Sequence, residues 1–443
     1  MHKVVGEPLR RLGVGIIGCG RISGHHARGY LSCEEAEIVA ACDLSEERAK
    51  QKAHEWGAKR VYMDYHRLLK DDEVDIVCVY TFHPNHAQIT IKAAEAGKHI
   101  SCQKPIAMRR RDADEVVRAV RKAGVKYQYM ELDAWTEPIV KVRELIEASE
   151  IGEPRLINVT NRPGPYMEYL DKFLGRRPNM EYTPLYGVMG SLEEYEKREE
   201  RMMERLPDEL RNVLIEENKW FPGPKERMEM RRSGRRMLIR KEKGRLNEVH
   251  PSFFNAGDLD EYGISWRCLD VAVHWIGAVV SLMGGFERVG SMMEFMQGKS
   301  HFDPSRTMLM NRAPVIMWRH KAENRYGAQI GEGSEDGYKV YTVYGTEGTF
   351  RINCSNGGPQ AVTLWKEDPE AADYRRATSF DLSEGYWWPA ARLAARDHID
   401  AILQDRDPVL NVEDGREVLF FLYAMGKSAK EGRIVALEEF NAM

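Results

Sequence analysis

Lys104 is the first side chain in this sequence whose type and position could support chemistry. It lies in Gln103-Lys104-Pro105, directly after a short apolar run that begins at His99. Because proline cannot donate to a strand ladder, the strand is predicted to end there and to present the lysine at its carboxyl end. Ligands of open α/β sheets bind at that edge, so Lys104 is a candidate ligand-binding group.

A second candidate is the pair Asp270 and His274, in the apolar segment 266–283. Residues four apart lie on the same face of a helix. Such a pair is costly to bury unless its members serve each other or a ligand, and histidine suits acid–base chemistry near neutral pH. Taken alone, such a pair is more often a structural hydrogen bond in the core than a catalytic pair. A cofactor domain upstream reverses that preference.

The region before Lys104 carries a dinucleotide-binding pattern. The apolar run Val14–Ile17 predicts a buried strand, and Gly18–Ser23 follows it at once. The first glycine permits a tight turn, and the second lets the backbone approach a pyrophosphate at the start of a helix. We therefore expect five turn residues to bind a cofactor: Gly18, Cys19, Gly20, Arg21 and Ile22.

Asp43 predicts which cofactor this is. It follows the second predicted strand, Glu37–Cys42, at about the 20-residue distance expected of a ribose-binding carboxylate. A carboxylate there accepts hydrogen bonds from a ribose 2′-hydroxyl and repels a 2′-phosphate. NAD is therefore the expected cofactor, and NADP is disfavoured.

The elements around these residues predict an α/β protein. Alternating strands and helices up to Met130 indicate a doubly wound parallel sheet. β-rich runs between 315 and 352 predict an antiparallel meander, and two helices close the chain. We expect a Rossmann domain at 1–133 and a C-terminal α/β domain at 134–443, with a charged insertion at about 161–262.

Bulk properties exclude several classes of protein. The 443 residues include 65 basic and 69 acidic ones, for a net charge of −4, which argues against a nucleic-acid binder. No apolar run approaches the ~20 residues of a membrane span, and the N-terminus is too short and polar for a signal peptide. The 7 cysteines fit neither a disulfide framework nor a zinc site. We therefore expect a cytoplasmic protein without a metal.

The charged insertion has three possible roles. Its segment 191–214 predicts a helix with one apolar face, and a basic run occupies 231–243. It could be a phosphate- or nucleic-acid-binding arm, a lid over a polar substrate, or a solvated insertion that touches a partner subunit. The acidic residues interspersed in the basic run favour the third role.

Taken together, these motifs resemble the Gfo/Idh/MocA oxidoreductases. The likeness is carried by 14–23, by 96–105 with its Lys-Pro, by Asp270-x-x-x-His274, and by 345–348 and 408–435. It implies a Rossmann domain, a C-terminal α/β domain with a largely antiparallel open sheet, and a nicotinamide between them. Members of this family oxidise a secondary hydroxyl of a sugar or cyclitol, or run the reverse reduction, and are commonly homodimers or homotetramers.

The resemblance also implies roles for residues. Lys104 binds the reacting oxygen, His274 is the general acid/base, and Asp270 orients the substrate or the imidazole. Further cofactor-binding candidates are Thr81, Phe82, His83, His86 and Gln103. The substrate-side candidates, besides the three catalytic residues, are Arg162, Tyr166, Trp266 and Arg267.

Some positions depart from the family pattern. Gln103 stands where the family has glutamate, which removes a charge beside Lys104. Gly277 stands three residues after the histidine, where an aspartate is often found. These changes bear on the substrate more than on the fold.

Three functions remain open at this point. The first is an NAD-dependent dehydrogenase acting on a sugar, sugar derivative or cyclitol. The second is glycoside cleavage by oxidation and elimination with a tightly bound NAD. The third is a sensor of sugar or NAD that does not catalyse a reaction.

Overall fold

The computed structural model describes residues 10–162, 237–240, 246–249, 266–299, 307–330, 338–354, 361–367, 375–382 and 387–441. The chain divides into two compact units. One comprises Met1–Gly164, Arg267–Met293 and Ala313–Met443, and the other comprises Pro165–Trp266 and Glu294–Arg312. The predicted helix and most of the basic run of the insertion lie outside the described residues.

The N-terminal half forms a six-stranded parallel sheet. Its strands are β1 (Leu12–Ile17), β2 (Ala36–Cys42), β3 (Arg60–Tyr62), β4 (Ile76–Val79), β5 (His99–Gln103) and β6 (Tyr127–Met130), in the order β3-β2-β1-β4-β5-β6. The helices are α1 (Arg21–Leu31), α2 (Glu46–Trp56), α3 (Tyr65–Leu68), α4 (His86–Glu95) and α5 (Arg110–Ala123). This confirms the predicted doubly wound fold. The strand order reverses between β1 and β4, which is where such sheets bind ligands.

Burial and local caps explain why these segments fold as they do. All four residues of β4 and of β6 are buried, as expected for strands covered by helices on both faces. The side chain of Ser45 caps the N-terminus of α2. Gly57 and Gly124 end α2 and α5 in the left-handed conformation, which glycine adopts without steric cost.

The C-terminal half contributes a nine-stranded mixed sheet. Its order is β16-β15-β14-β13-β7-β12-β11-β10-β17. The strands are β7 (Pro154–Arg162), β10 (Phe286–Lys299), β11 (Thr307–His320), β12 (Tyr326–Ile330), β13 (Tyr338–Gly345), β14 (Gly348–Cys354), β15 (Ala361–Glu367), β16 (Arg375–Asp381) and β17 (Val435–Ala436). A separate antiparallel ribbon pairs β8 (Met237–Arg240) with β9 (Leu246–Val249).

The sequence prediction of one continuous antiparallel meander was wrong at one point. β7 lies between β12 and β13, parallel to the first and antiparallel to the second. Strand periodicity shows that a segment is a strand and which face it buries, but it does not name the neighbouring strand. The sheet is nevertheless largely antiparallel, as predicted.

Four more helices complete the described chain: α6 (Glu137–Glu147), α7 (Trp266–Met283), α8 (Trp387–Leu403) and α9 (Val412–Glu431). α8 packs tightly on α1, because a Cβ at Gly29 would lie 2.3 Å from the carbonyl oxygen of Ala391. Gln128 of β6 donates through Nε2 to the carbonyl of Ala394 at 2.7 Å. The C-terminal helices therefore hold the end of the parallel sheet in place.

Among the helices that the structure describes, none combines the length and the apolar character needed to cross a membrane. The four cysteines predicted on or beside strands are all buried: Cys19, Cys42, Cys78 and Cys102.

Candidate active site

The turn between β1 and α1 has the shape of a phosphate cradle. Gly18 has φ +97°, and a Cβ there would lie 2.5 Å from the carbonyl oxygen of Tyr80. A Cβ at Gly20 would meet nothing within 4 Å among the described residues. No described side chain caps the N-terminus of α1, and the Ser23 hydroxyl donates to the Gly20 carbonyl at 2.6 Å. The turn therefore offers space and helix N–H groups to a pyrophosphate.

Asp43 is tied to this turn. One carboxylate oxygen, Oδ2, accepts from the backbone N–H of Cys19 at 2.9 Å, and Oδ1 accepts from that of Ser45, also at 2.9 Å. Arg48 Nε lies 3.5 Å from Oδ1. A carboxylate oxygen has two lone pairs, so each retains capacity for a ribose hydroxyl.

The other predicted turn residues differ in what the structure shows. Burial raises the pKa of the Cys19 thiol to about 12, so the thiol stays protonated, and the Cys19 amide is already bonded to Asp43. Ile22 lies in the first turn of α1. Arg21 begins α1, and its side chain lies outside the described residues.

The loop after β4 is fastened to the Lys104 strand by His86. This buried ring lies with Nδ1 2.8 Å from the Pro105 carbonyl and Nε2 3.0 Å from the Thr81 carbonyl. Burial lowers the pKa of His86, although the two carbonyls oppose that effect. Phe82, 53% exposed, extends from the same loop. His86 therefore positions the predicted cofactor loop against the end of β5.

Gln103 fixes the backbone that presents Lys104. Its Oε1 accepts from the Lys104 N–H at 2.7 Å, and its Nε2 lies 2.8 Å from His26 Nε2. Burial lowers the pKa of His26 to about 3, so His26 is neutral and accepts from the amide. The glutamine thus uses its donor and its acceptor together. The Lys104-Pro105 peptide is cis, and Lys104 is 8% exposed.

His274 is hydrogen-bonded to a carboxylate that the sequence reasoning missed. The Nδ1 of His274 contacts Oε1 of Glu131, which is fully buried at 0% exposure. Burial raises the pKa of Glu131 to about 7, although Lys339 and backbone N–H groups oppose the rise. Glu131 directly follows β6, which neighbours β5, so it leaves the sheet at the same edge as Lys104. That position was the signal available in the sequence.

Electrostatic effects show that these groups share one neighbourhood. Burial first, and then Lys104, His86 and His274, lower the pKa of His83 well below its usual value. Lys104 also opposes the rise that burial causes in the pKa of Glu131. The structure therefore brings the predicted residues Lys104, His83 and His274 together around the unpredicted Glu131.

A second ionic pair lies beside Glu131. The Lys339 ammonium on β13 contacts the buried Asp133 carboxylate. Burial opposes the charge of Lys339, but Asp133 raises the pKa of the lysine above its usual value. One ligand atom from each of Glu131, Asp133 and His274 lies within 4.8 Å of the others.

Other predicted site residues cannot be placed by their side chains. Asp270 lies one turn before His274 in α7, but its side chain is outside the described residues. The same holds for Trp266 and Arg267 in α7 and for Arg162 at the end of β7. Tyr166 lies wholly outside them.

Family models match most of this chain. Residues 12–131 match a model described as the oxidoreductase family, NAD-binding Rossmann fold. Residues 242–437 match the C-terminal alpha/beta domain of the same family. The chain belongs to the Gfo/Idh/MocA oxidoreductase family. This confirms the resemblance seen in the motifs, and the open cradle at Gly20 fits the dinucleotide that the Gfo/Idh/MocA Rossmann domain binds.

Two curated relatives align with part of the chain. A myo-inositol 2-dehydrogenase from Thermotoga maritima is 31% identical over 153 residues, or 34% of this chain and 46% of the relative. A D-apiose dehydrogenase from Paraburkholderia graminis is 31% identical over 173 residues, or 38% of this chain and 46% of the relative. The chain thus aligns with less than half the length of each.

Solved structures align over nearly the whole chain. A levoglucosan dehydrogenase in complex with NADH and levoglucosan has a TM-score of 0.65 at 19% identity, covering 97% of this chain and 100% of its own. An oxidoreductase from Agrobacterium radiobacter, in complex with NAD+, L-tartaric acid and magnesium, has a TM-score of 0.62 at 18% identity, covering 97% and 99%. These likenesses show a shared fold.

Proposed function

We propose that this protein is a nicotinamide-dependent dehydrogenase that transfers a hydride between the cofactor and a secondary hydroxyl of a sugar or cyclitol. The observation that carries the proposal is the His274 imidazole, bonded to a buried carboxylate within electrostatic range of His83 and Lys104. His274 and Lys104 are both needed to handle a hydroxyl proton and the charge that it leaves.

The chemistry follows from the charge that develops during oxidation. A hydride leaves carbon readily only when the hydroxyl proton goes to a base and the alkoxide is stabilised. His274 supplies the base through Nε2, because Nδ1 contacts Glu131. Lys104 supplies the cation that binds the reacting oxygen. A bound nicotinamide would accept the hydride, and Asp270 would orient the substrate.

NAD rather than NADP is the proposed cofactor. Asp43 stands at the end of β2, where its carboxylate is held by the Cys19 and Ser45 amides. A fixed negative charge there repels a 2′-phosphate and accepts from a 2′-hydroxyl. The neighbouring Arg48 offsets part of that charge, so we expect a preference rather than an absolute selection.

The substrate class rests on the site and on the names of relatives. Alkoxide stabilisation and proton transfer suit any secondary alcohol, and the named relatives include dehydrogenases of myo-inositol and of D-apiose. We therefore place sugars and cyclitols first. A homodimer or homotetramer in the cytoplasm remains the proposal from the sequence.

The test is a substrate screen with matched variants. Purified protein is incubated with NAD+ or NADP+ and a panel of cyclitols, aldoses and anhydrosugars, and reduced nicotinamide is followed by its absorbance. We expect turnover with NAD+ that falls about 10²–10³-fold in K104M and in H274N. E147Q, which removes an exposed carboxylate at the end of α6, should retain full activity.

Two outcomes would overturn the dehydrogenase proposal. Release of an aglycone from a glycoside without net NADH would assign the chain to redox-assisted cleavage. Sugar binding that is equal in the parent and in K104M/H274N, with no turnover by either, would indicate a sensor.

A further inference from the structure

The carboxylate that contacts His274 comes from a distant part of the chain. Glu131 and His274 are 143 residues apart, and they meet because α7 lies against the end of β6. The His274 side chain is 26% exposed, whereas that of Glu131 is 0% exposed. A substrate can therefore reach the imidazole but not the carboxylate. Whatever Glu131 does in the reaction, it does through His274.

Gly277 makes this contact possible. It lies one turn after His274 in α7, and a Cβ there would lie 2.9 Å from Cγ of Glu131 and 3.1 Å from Oε2. Even alanine would have to displace the carboxylate or the helix. Glycine inside a helix costs roughly 0.5–1 kcal/mol relative to alanine, so its place here is explained by the room that Glu131 needs.

The second oxygen of Glu131 is also held. Oε2 accepts from the Ala134 N–H at 3.3 Å, so the side chain caps the short 3₁₀ turn Leu132–Trp135. One end of the carboxylate is fixed by backbone, which leaves the other aimed at the imidazole. This is the arrangement by which a buried carboxylate selects the Nδ1–H tautomer, so that Nε2 is the unprotonated, basic nitrogen of the ring.

The surroundings of Glu131 are mixed in charge. The titratable groups that face it come from five elements: His274 on α7, Lys339 and Tyr341 on β13, Lys104 at the end of β5, Tyr129 on β6, and Asp133 in the 3₁₀ turn. The lysine on β13 contacts Asp133, so the two negative groups each have a cationic or imidazole partner. When His274 takes up a proton, the imidazolium forms beside the Glu131 carboxylate, so the new positive charge has a partner.

We propose that Glu131 is the positioning residue of His274. Its carboxylate, at the end of β6, reaches the imidazole because Gly277 leaves room for it, and it orients the ring and raises its basicity for proton transfer. The proposal deepens the proposed function and rests on it for the identity of the reaction. Glu131 holds the ring with Nε2 toward the substrate. It also stabilises the imidazolium formed when the hydroxyl proton arrives.

The same three ligand atoms raise the alternative of a divalent cation. A metal between Glu131, Asp133 and His274 would have to displace the Lys339 ammonium from Asp133 and the imidazole Nδ1 from Glu131. Both contacts already satisfy the carboxylates. The contacts therefore favour the proton-transfer role over a cation site.

The first test measures His274 without any substrate. The imidazole is titrated by ¹⁵N NMR in the parent and in E131Q, with H274N used to assign the signal. Removing the carboxylate should move the His274 titration midpoint down by about one pH unit or more, because a nearby negative charge favours the imidazolium. E147Q should leave the midpoint unchanged. An unchanged midpoint in E131Q would overturn the proposal.

The second test uses turnover. In E131Q we expect kcat to fall about 10²-fold, the low-pH limb of kcat/KM to move to lower pH, and the KM for NAD+ to stay within about twofold. G277A should also lower kcat, because its methyl group would clash with the Glu131 side chain. A uniform loss of activity in E131Q with an unmoved pH limb would indicate a structural role only.

A transplanted carboxylate provides the rescue. Because a Cβ at 277 points at the Glu131 carboxyl, E131A/G277D should place a carboxylate near the vacated position. The double variant should have a kcat at least tenfold higher than that of E131A, and its His274 titration midpoint should move back toward that of the parent. The absence of both recoveries in a folded double variant would count against the proposal.

Different outcomes test the proposed reaction and the role of Glu131. If no sugar or cyclitol is turned over, the proposed function fails, while the His274 titration still decides whether Glu131 acts on the imidazole. Activity that is lost with EDTA and restored by Mg²⁺ or Mn²⁺, together with one bound metal per chain that E131Q abolishes, would replace the positioning role with a metal site.

Discussion

The proposed cofactor half of the site depends on contacts between residues close in sequence, whereas the proposed acid–base half depends on contacts between distant ones. Gly18, Gly20 and Asp43 all lie in one β-α-β unit, and their geometry is set by backbone conformation within it. Glu131 reaches His274 over 143 residues, and Asp133 reaches Lys339 over 206. A substitution in the first half should act locally, through the turn or the cofactor. A substitution in the second should act through buried charge.

The largest effect is expected from Lys339→Met, which tests the long-range half. It would leave the Asp133 carboxylate, 1% exposed, without its ammonium, and unfolding free energy should fall by about 3 kcal/mol. Urea denaturation at constant m-value measures the loss. D133N/K339M should recover most of it, because the uncompensated charge is gone. Equal losses in the single and double variants would show that packing, not charge, sets this stability.

The two glycines of the turn should respond differently to alanine. In G18A the alanine would have to adopt a φ of +97°, and its Cβ would clash with the Tyr80 carbonyl. We therefore expect the free energy of unfolding to fall by about 2 kcal/mol. G20A has open space and should leave the melting temperature unchanged while weakening NAD+ binding about tenfold or more. Calorimetry of unfolding and of NAD+ binding separates the two. An equal loss of stability in G18A and G20A would contradict the interpretation of Gly20 as part of an open phosphate-binding turn.

Asp43→Asn sharpens the cofactor half. Removing the charge while Arg48 stays in place should raise the ratio of kcat/KM for NADP+ to that for NAD+ about tenfold, since one charge-assisted hydrogen bond is lost. E47Q, an exposed carboxylate in the first turn of α2, is the matched control. A ratio that is unchanged in D43N would remove Asp43 from ribose recognition.

The smallest effect concerns pH and stability. Burial raises the pKa of Glu131 from 4.5 to about 7, so the folded state holds this proton more tightly than the unfolded state. That contribution is full below pH 4.5 and is lost as pH rises through about 7. Relative to E131Q, the parent should therefore lose about 1 kcal/mol of unfolding free energy between about pH 6.3 and pH 8. Denaturant titrations at both pH values check this, and a relative gain by the parent would contradict it.

Short-range signals made much of the first half predictable. The strand before Gly18, Asp43 directly after β2 and Lys104 at the end of β5 were all expected, and the structure places each one there. Each depends on a local rule, such as glycine at positive φ or an apolar run buried between helices. The helix carrying His274 was also expected, because its apolar pattern is long.

The contacts of the second half were not predictable in the same way. The sequence suggested that Asp270 serves His274, because helical spacing puts the two on one face. The side chain of Asp270 lies outside the described residues, so that pairing stays a prediction. The structure shows Glu131 against the imidazole, and no local pattern relates residue 131 to residue 274. The place of β7 between β12 and β13 was missed for the same reason.

Local sequence patterns were enough to predict the parallel sheet, the glycine turn after β1, the acidic residue after β2 and the lysine at the sheet edge. Each follows from backbone sterics and burial within a few dozen residues. The contacts of Glu131 with His274 and of Lys339 with Asp133 required the packing of distant segments. Those pairings depend on how α7 and β13 pack against the end of β6, where a missing Cβ at Gly277 leaves room for Glu131.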